Sequence, residues 1–178
     1  LKVDMAGYEA EKKRAEDLSR GGGKADAEEC RACTLNGEDI AKLKAMHVHP
    51  TDDAFKYQPK ELSAHVVAIW NGHAFDQRCH PSVTQKTRPI GVLLNRTSFY
   101  AAAGGQEADA GKMRVVAEGR GATRTHHEGS EFTVDRVEAF GGYVLHIGHV
   151  SRGELCVGDT VYLSGQIGLL DKECYRLQ

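Results

Sequence analysis

Between His65 and Leu163, glycine-containing turns cut the chain into apolar runs of strand length, too short for core helices. His65–Trp70 (HVVAIW) carries β-branched and aromatic side chains, and Asn71-Gly72 behind it is a hairpin signal leading to Ala74-Phe75. Gly91–Leu94 is a short aliphatic run. Lys112–Ala117 alternates Met113, Val115 and Ala117 against Arg114 and Val116, and Phe132–Val137 alternates Phe132, Val134 and Arg136 against Thr133, Asp135 and Val137. Gly141-Gly142 turns the chain into Tyr143–Val150. Ser151–Glu154 and Gly158-Asp159 mark further turns, around Leu155 and before Thr160–Leu163. Strands of this kind predict a small six-stranded antiparallel-type β-barrel, because closure removes the unpaired edges that an open sheet would leave.

Helical signals are confined to the first third. Val3–Arg20 reads as a polar helix with Asp4 as N-cap, a sparse apolar side of Met5, Tyr8 and Leu18, and Gly21–Gly23 as its stop. Gly21–Glu29 is small and polar. Leu35–Met46 (LNGEDIAKLKAM) reads as a short helix with Asn36 near its start and Ile40, Leu43 and Met46 on one side. His49–Pro59, with prolines at 50 and 59, reads as an extended connector. The expected architecture is α+β, with a helical linker region over residues 1–60 and a barrel domain over residues 61–178.

A chain of 178 residues suits one modest domain. The net charge of -2 provides no global basic field of the kind a dedicated nucleic-acid binder shows, so any RNA contact rests on a local patch. No apolar run reaches the length of a membrane span, and the start LKVDMAGYEA lacks a signal-peptide core. Five irregularly spaced cysteines argue against a disulfide framework and for a reducing, cytoplasmic setting.

The densest stretch is Gly91–Gly111, GVLLNRTSFYAAAGGQEADAG. Taken by residue type it is a strand followed by a tight turn, with Gly104-Gly105 supplying positive φ or a close backbone approach. The run NRTSFYAAAGGQ with Ala108–Gly111 also closely resembles the glycine-rich motif of alanyl-tRNA synthetases and of the free-standing editing proteins related to them. A second block, EFTVDRVEAFGGYVLHIGHVSRGELCVGDTVYL, is similar to the barrel strands that follow that motif. VDMAGYEAEKKRAE looks like the helix that leaves the aminoacylation region, and TDDAFKY resembles a connector of the eukaryotic cytosolic type. The resemblance therefore implies a β-barrel between an aminoacylation region and a zinc-dependent editing core.

That resemblance implies no catalytic residue in this chain. The paired histidines that hold the editing zinc and the motifs that bind ATP and alanine are both missing, so ATP, Mg and Zn are expected only in other regions of a parent protein. Thr97 corresponds to a threonine that faces the mischarged amino acid and helps tell serine from alanine. Such a contact is worth only about 0.5–1.5 kcal/mol, enough to tune discrimination. Gly104, Gly105 and Gln106 are implied to shape the pocket wall or approach the tRNA end. Arg88, Arg96, Arg120 and Arg124 are candidates for phosphate contacts. Asn95 stands where the family usually has aspartate and Ala102 where it usually has glutamate, which removes charge and acceptors from the motif.

Local metal candidates are weak. His146 and His149 sit three apart on a strand and point to opposite faces, so His146 reads as a barrel position with an ordinary hydrogen bond. Cys30 and Cys33 have half-site spacing, with His47 and His49 as the other half, but the histidine spacing is too tight for a usual finger. His126-His127 reads as solvated. The expected role is the barrel of an alanine-tRNA ligase, inactive alone, which joins aminoacylation to editing and helps position tRNA(Ala), with no membrane partner. A divergent stand-alone module binding tRNA or protein is the open alternative.

Overall fold

The structure, a computed structural model, describes residues 33–57, 62–81, 89–103, 107–116 and 128–166. The helix read over Val3–Arg20, the stretch Gly21–Glu29, Cys30, Arg88, Gly104–Gln106 and residues 117–127, with Arg120, Arg124 and His126-His127, lie outside these.

Helix α1 spans Gly37–Ala45. It starts there because Asn36 accepts the backbone N–H groups of Glu38 and Asp39 through its side chain, while Asp39 returns a bond to the Asn36 N–H, a complete capping box. Leu43 is fully buried and Ile40 packs beside it. Met46, read as a third apolar position, is instead the C-cap and is 46% exposed, because the chain leaves the helix there through His47 in the left-handed region (φ 58).

Among the described residues nine strands follow: β1 (Leu62–Trp70), β2 (Phe75–Asp76), β3 (Arg78–Cys79), β4 (Ile90–Leu94), β5 (Ala110–Val116), β6 (Glu131–Phe140), β7 (Tyr143–Arg152), β8 (Leu155–Cys156) and β9 (Thr160–Gln166). Neighbours run β1-β4-β7-β6-β5-β9, and β9 returns to β1 through the pairs Leu62↔Leu163 to His65↔Thr160. The result is the expected closed six-stranded barrel, antiparallel throughout. The hairpin read at Asn71-Gly72 is present and lays β2 on the end of β1. Strands β3 and β8 form a separate short pair.

Alternation fails midway along β6. Arg136 was expected inward and Val137 outward, but Val137 is fully buried and Arg136 is half-buried, its Nε 3.0 Å from Glu138 Oε1. The register passes from Val134↔Gly148 to Arg136↔Ile147 and leaves Asp135 without a partner, a bulge that shifts the inward phase by one residue. Gly148 makes it possible, since a Cβ there would lie 1.9 Å from the Thr133 carbonyl oxygen. Strand β1 carries a comparable irregularity between Val66 and Ala68, which puts both Val66 and Ile69 inside.

Two hydrophobic clusters result. The barrel interior holds Val66, Val92, Leu94, Met113, Phe132, Val134, Val144, Val161 and Leu163. The second cluster lies on the outside of β1, β4 and β7, where Ala68, Trp70, Leu93, Tyr143, Leu145 and Ile147 pack with Cys33, Leu35 and Leu43 of the helical segment. Every residue of β4 is therefore buried, inward at Val92 and Leu94 and outward at Leu93. Gly91 has a packing reason, because Leu145 lies across it with Cδ1 2.4 Å from where a Cβ would stand.

Candidate functional site

The glycine-rich stretch begins where β4 and its neighbours part. Beyond the Leu93↔Leu145 pair, the hydroxyl of Thr51 donates to the Leu94 carbonyl (3.0 Å) and accepts from the Val144 N–H (3.1 Å). One side chain thus bridges two strands that no longer pair. The next residue, Asp52, donates its N–H to the Asn95 carbonyl (3.0 Å) and accepts the Thr97 N–H (2.9 Å), forming a parallel bridge to Arg96. The connector read as extended is also a clamp along one side of the motif. No sequence period flags Thr51, because its role is fixed by strands far along the chain.

Asn95 holds the other side. Its N–H donates to the His65 carbonyl (3.1 Å) and its Oδ1 accepts the His65 N–H (2.8 Å). The expected loss of an acceptor at this position is thereby corrected: asparagine lacks the charge of aspartate but retains the oxygen that the β1 backbone needs. Arg96 donates its Nε to the Ser63 carbonyl at 2.7 Å and is half-buried at the rim. Ala102 is exposed and donates its N–H to the Val137 carbonyl (3.0 Å).

Thr97 turns inward and is fully buried, as is His146. The polarity of their hydrogen bond follows from its neighbours. His146 Nδ1 lies 3.0 Å from the Val92 carbonyl, which can only accept, so Nδ1 carries the proton and Nε2 is the acceptor. Thr97 Oγ1 therefore donates to Nε2 at 2.7 Å and in turn accepts the Phe99 N–H at 3.1 Å. Burial pushes the imidazole down to about 4, which keeps it neutral, as this arrangement requires. Phe99, itself buried, places its ring edge-on to the imidazole at 5.5 Å. The reading of His146 as a hydrogen-bonded barrel position holds.

The loop then closes on itself. Tyr100 donates its N–H to Asp109 Oδ2 (2.8 Å), and Asp109 donates its N–H to the Tyr100 carbonyl (3.0 Å), so these two residues are tied together at the rim. Gly104, Gly105 and Gln106 fall between them in sequence and lie outside the described residues. Asp109 and Thr51 were missed at the sequence level, though an aspartate closing a glycine-rich loop is a recurrent turn device.

Of the proposed zinc half-site, Cys33 is buried and donates its thiol to the Pro89 carbonyl (2.8 Å), while His47 and His49 are exposed. Among the described residues no three His, Cys, Asp or Glu side chains are grouped to hold a metal. His149, as expected, points away from His146, with its Nδ1 3.1 Å from Asp135. No helix among the described residues is long and apolar enough to cross a membrane.

Residues 1–167 match the family described as class II (A) tRNA synthetases. The chain belongs to that family. It is 35% identical over 165 residues to an alanine-tRNA ligase of Candida albicans, covering 90% of this chain and 15% of that protein. It is 37% identical over 165 residues to the cytoplasmic alanine-tRNA ligase of Dictyostelium discoideum (92% and 16%), and 36% over 172 residues to that of Drosophila melanogaster (92% and 16%). The chain thus spans about 15–16% of the length of these curated relatives. In this synthetase segment the motif is fastened to β1 through Asn95 and Arg96, to the connector through Asp52, to the barrel interior through Thr97, to β6 through Ala102, and to itself through Asp109.

Proposed function

We propose that this barrel serves, within an alanine-tRNA ligase of the eukaryotic cytosolic type, to link the aminoacylation region to the editing region and to help hold the end of tRNA(Ala). It has no catalytic role by itself. ATP, Mg and Zn act in other regions of the parent, whose chemistry is the ATP-dependent joining of alanine to tRNA, in the cytoplasm. The observation that carries this reading is the rim loop itself. The closed barrel holds Thr97 in its interior and ties Tyr100 to Asp109 at its rim, which suits fixing the position of a flexible ligand end.

Within that reading Gly104, Gly105 and Gln106 form the contact edge, with Arg88, Arg96, Arg120 and Arg124 as phosphate contacts. Thr97 acts by orienting the loop. Its hydroxyl proton is committed to His146 and one oxygen lone pair to Phe99 N–H, which leaves little capacity for a serine side chain. Discrimination of serine from alanine through Thr97 would then be a positioning effect.

The experiment uses the full-length ligase with Thr97→Val and Thr97→Ser, assaying alanylation and seryl-tRNA(Ala) hydrolysis separately. Thr97→Val should lower hydrolysis about tenfold and leave alanylation within twofold, and Thr97→Ser should restore hydrolysis, since one buried hydrogen bond is worth about 1–3 kcal/mol when its partner is orphaned. Equal hydrolysis by the valine variant and the wild type would refute the role of the loop in editing.

A further inference from the structure

The barrel has a second outer wall, opposite in character to the one covered by α1. On β5 and β9 the inward positions are Met113, Val115, Val161 and Leu163, so Lys112, Arg114, Tyr162 and Ser164 face out. Cross-strand register aligns these into a row. Arg152 on β7 opposes Glu131 on β6, Glu131 opposes Arg114 on β5, Arg114 opposes Tyr162 on β9, and Tyr162 opposes Ser63 on β1. Arg96 reaches the end of this row through its bond to the Ser63 carbonyl. Lys112 lies in the adjoining row opposite Ser164.

The charges are organised. Glu131, with its side chain only 19% exposed, sits between Arg114 (2.9 Å) and Lys112 (3.8 Å), whose own side chains are 65% and 62% exposed. A sunken carboxylate with two raised cations presents positive charge outward and fixes the guanidinium in place. Arg152 is exposed beside it, and Tyr162 is 45% exposed, one of two large apolar-bodied side chains standing out among the described residues. Lys112, Arg114, Val116, Glu131, Tyr162, Leu163 and Ser164 line a shallow depression of roughly 390 Å³. The nearest other carboxylate on β6, Asp135, is engaged by His149.

We propose that this wall is an RNA-contacting face, on which Lys112, Arg114 and Arg152 meet backbone phosphates and Tyr162 stacks on an unpaired base. The proposal rests on the reading that tRNA is the partner of this segment, and names where it lies. A chain with net charge -2 that pairs Lys112 and Arg114 with one sunken carboxylate, and sets Arg152 opposite it in register, complements a polyanion. The strand spacing of about 4.8 Å separates Arg152 from Arg114 by about 10 Å, within the span of a short backbone stretch. A protein partner is disfavoured because, among the described residues, Val116 and Tyr162 supply the sizeable apolar contacts of the depression's outer face, too little for a buried anchor cluster. A single tyrosine flanked by arginines is the arrangement on which unpaired bases stack.

The test measures binding of the purified chain to tRNA(Ala) transcript and to a single-stranded RNA oligonucleotide by anisotropy across a salt series. Arg114→Ala should lower the salt slope by about one and weaken binding at low salt. Tyr162→Ala should weaken binding about fivefold or more with the slope unchanged, because stacking is not ionic. Glu131→Gln should tighten it. Binding by the wild type with Kd unmoved in all three variants overturns the face while leaving the partner reading intact. No RNA binding at all, with Tyr162 and Lys112 shielded from chemical labelling in the full-length ligase, makes the wall a contact between domains and also overturns the proposal. Full-length alanylation and hydrolysis, assayed with Thr97→Val, report on the linking role independently of either result.

Discussion

The two outer walls of one barrel are built from the same alternating strands and put to opposite uses. On β1, β4 and β7 the outward positions are Ala68, Trp70, Leu93, Leu145 and Ile147, and the helical segment covers them with Leu35 and Leu43. On β5 and β9 the outward positions are Lys112, Arg114, Tyr162 and Ser164, and no described helix packs there. A barrel needs only its interior to close, so each wall is free to be core or surface according to what its outward residues are. The covered wall converts the helix into part of the fold, and the other wall, on which no described helix packs, carries the proposed RNA contact.

The sharpest break of this contrast is Leu145→Ala on the covered wall. Leu145 is fully buried across Gly91, so its truncation should cost about 2–5 kcal/mol, read as a drop in the urea midpoint. A loss below about 0.5 kcal/mol would mean that this wall behaves like surface.

The interior shared by both walls supplies the second test. The folded pKa of His146, about 4, lies below its ordinary value of 6.5, so the neutral form is favoured by folding. Its contribution is complete above about pH 6.5 and is lost as pH falls towards 4, at up to about 1.4 kcal/mol per pH unit. Stability measured at pH 7 and pH 5 should diverge for the wild type by more than for His146→Leu. Identical pH profiles would show that the imidazole is not held neutral.

A smaller effect is expected where the covering element begins. Asn36→Ala removes the capping oxygen that receives two backbone N–H groups and should cost about 1 kcal/mol. Because α1 is welded to the wall through Leu43, the loss should appear as a shift of the single global melt. A separate early transition would mean that helix and barrel unfold independently.

The smallest stability change belongs to the bare wall. Tyr162→Ala and Arg114→Ala should each stay within about 0.5 kcal/mol of the wild type, even as RNA binding falls. A large destabilisation by either would make the wall structural and blur the contrast with Leu145.

Much of this architecture was legible in the sequence. Short runs of strand period between glycine turns dictated a small closed barrel, and Asn36 ahead of an apolar stripe located α1, because capping and alternation are local properties of the chain. Phe132 and Val134 were correctly placed inside for the same reason. The phase after them was not, since the bulge at Asp135 exists only because Gly148 on another strand lets the Thr133 carbonyl approach. The motif also announced itself locally while its fastening did not. Thr51 bridging β4 and β7, and His146 accepting from Thr97, join residues 43 to 93 positions apart, a pairing that periodicity cannot carry. The alternation of Lys112, Arg114 and Tyr162 could be read residue by residue. That they stand in one row with Glu131 and Arg152 was decided by strand register, which is set when the barrel closes and every strand must satisfy two neighbours at once.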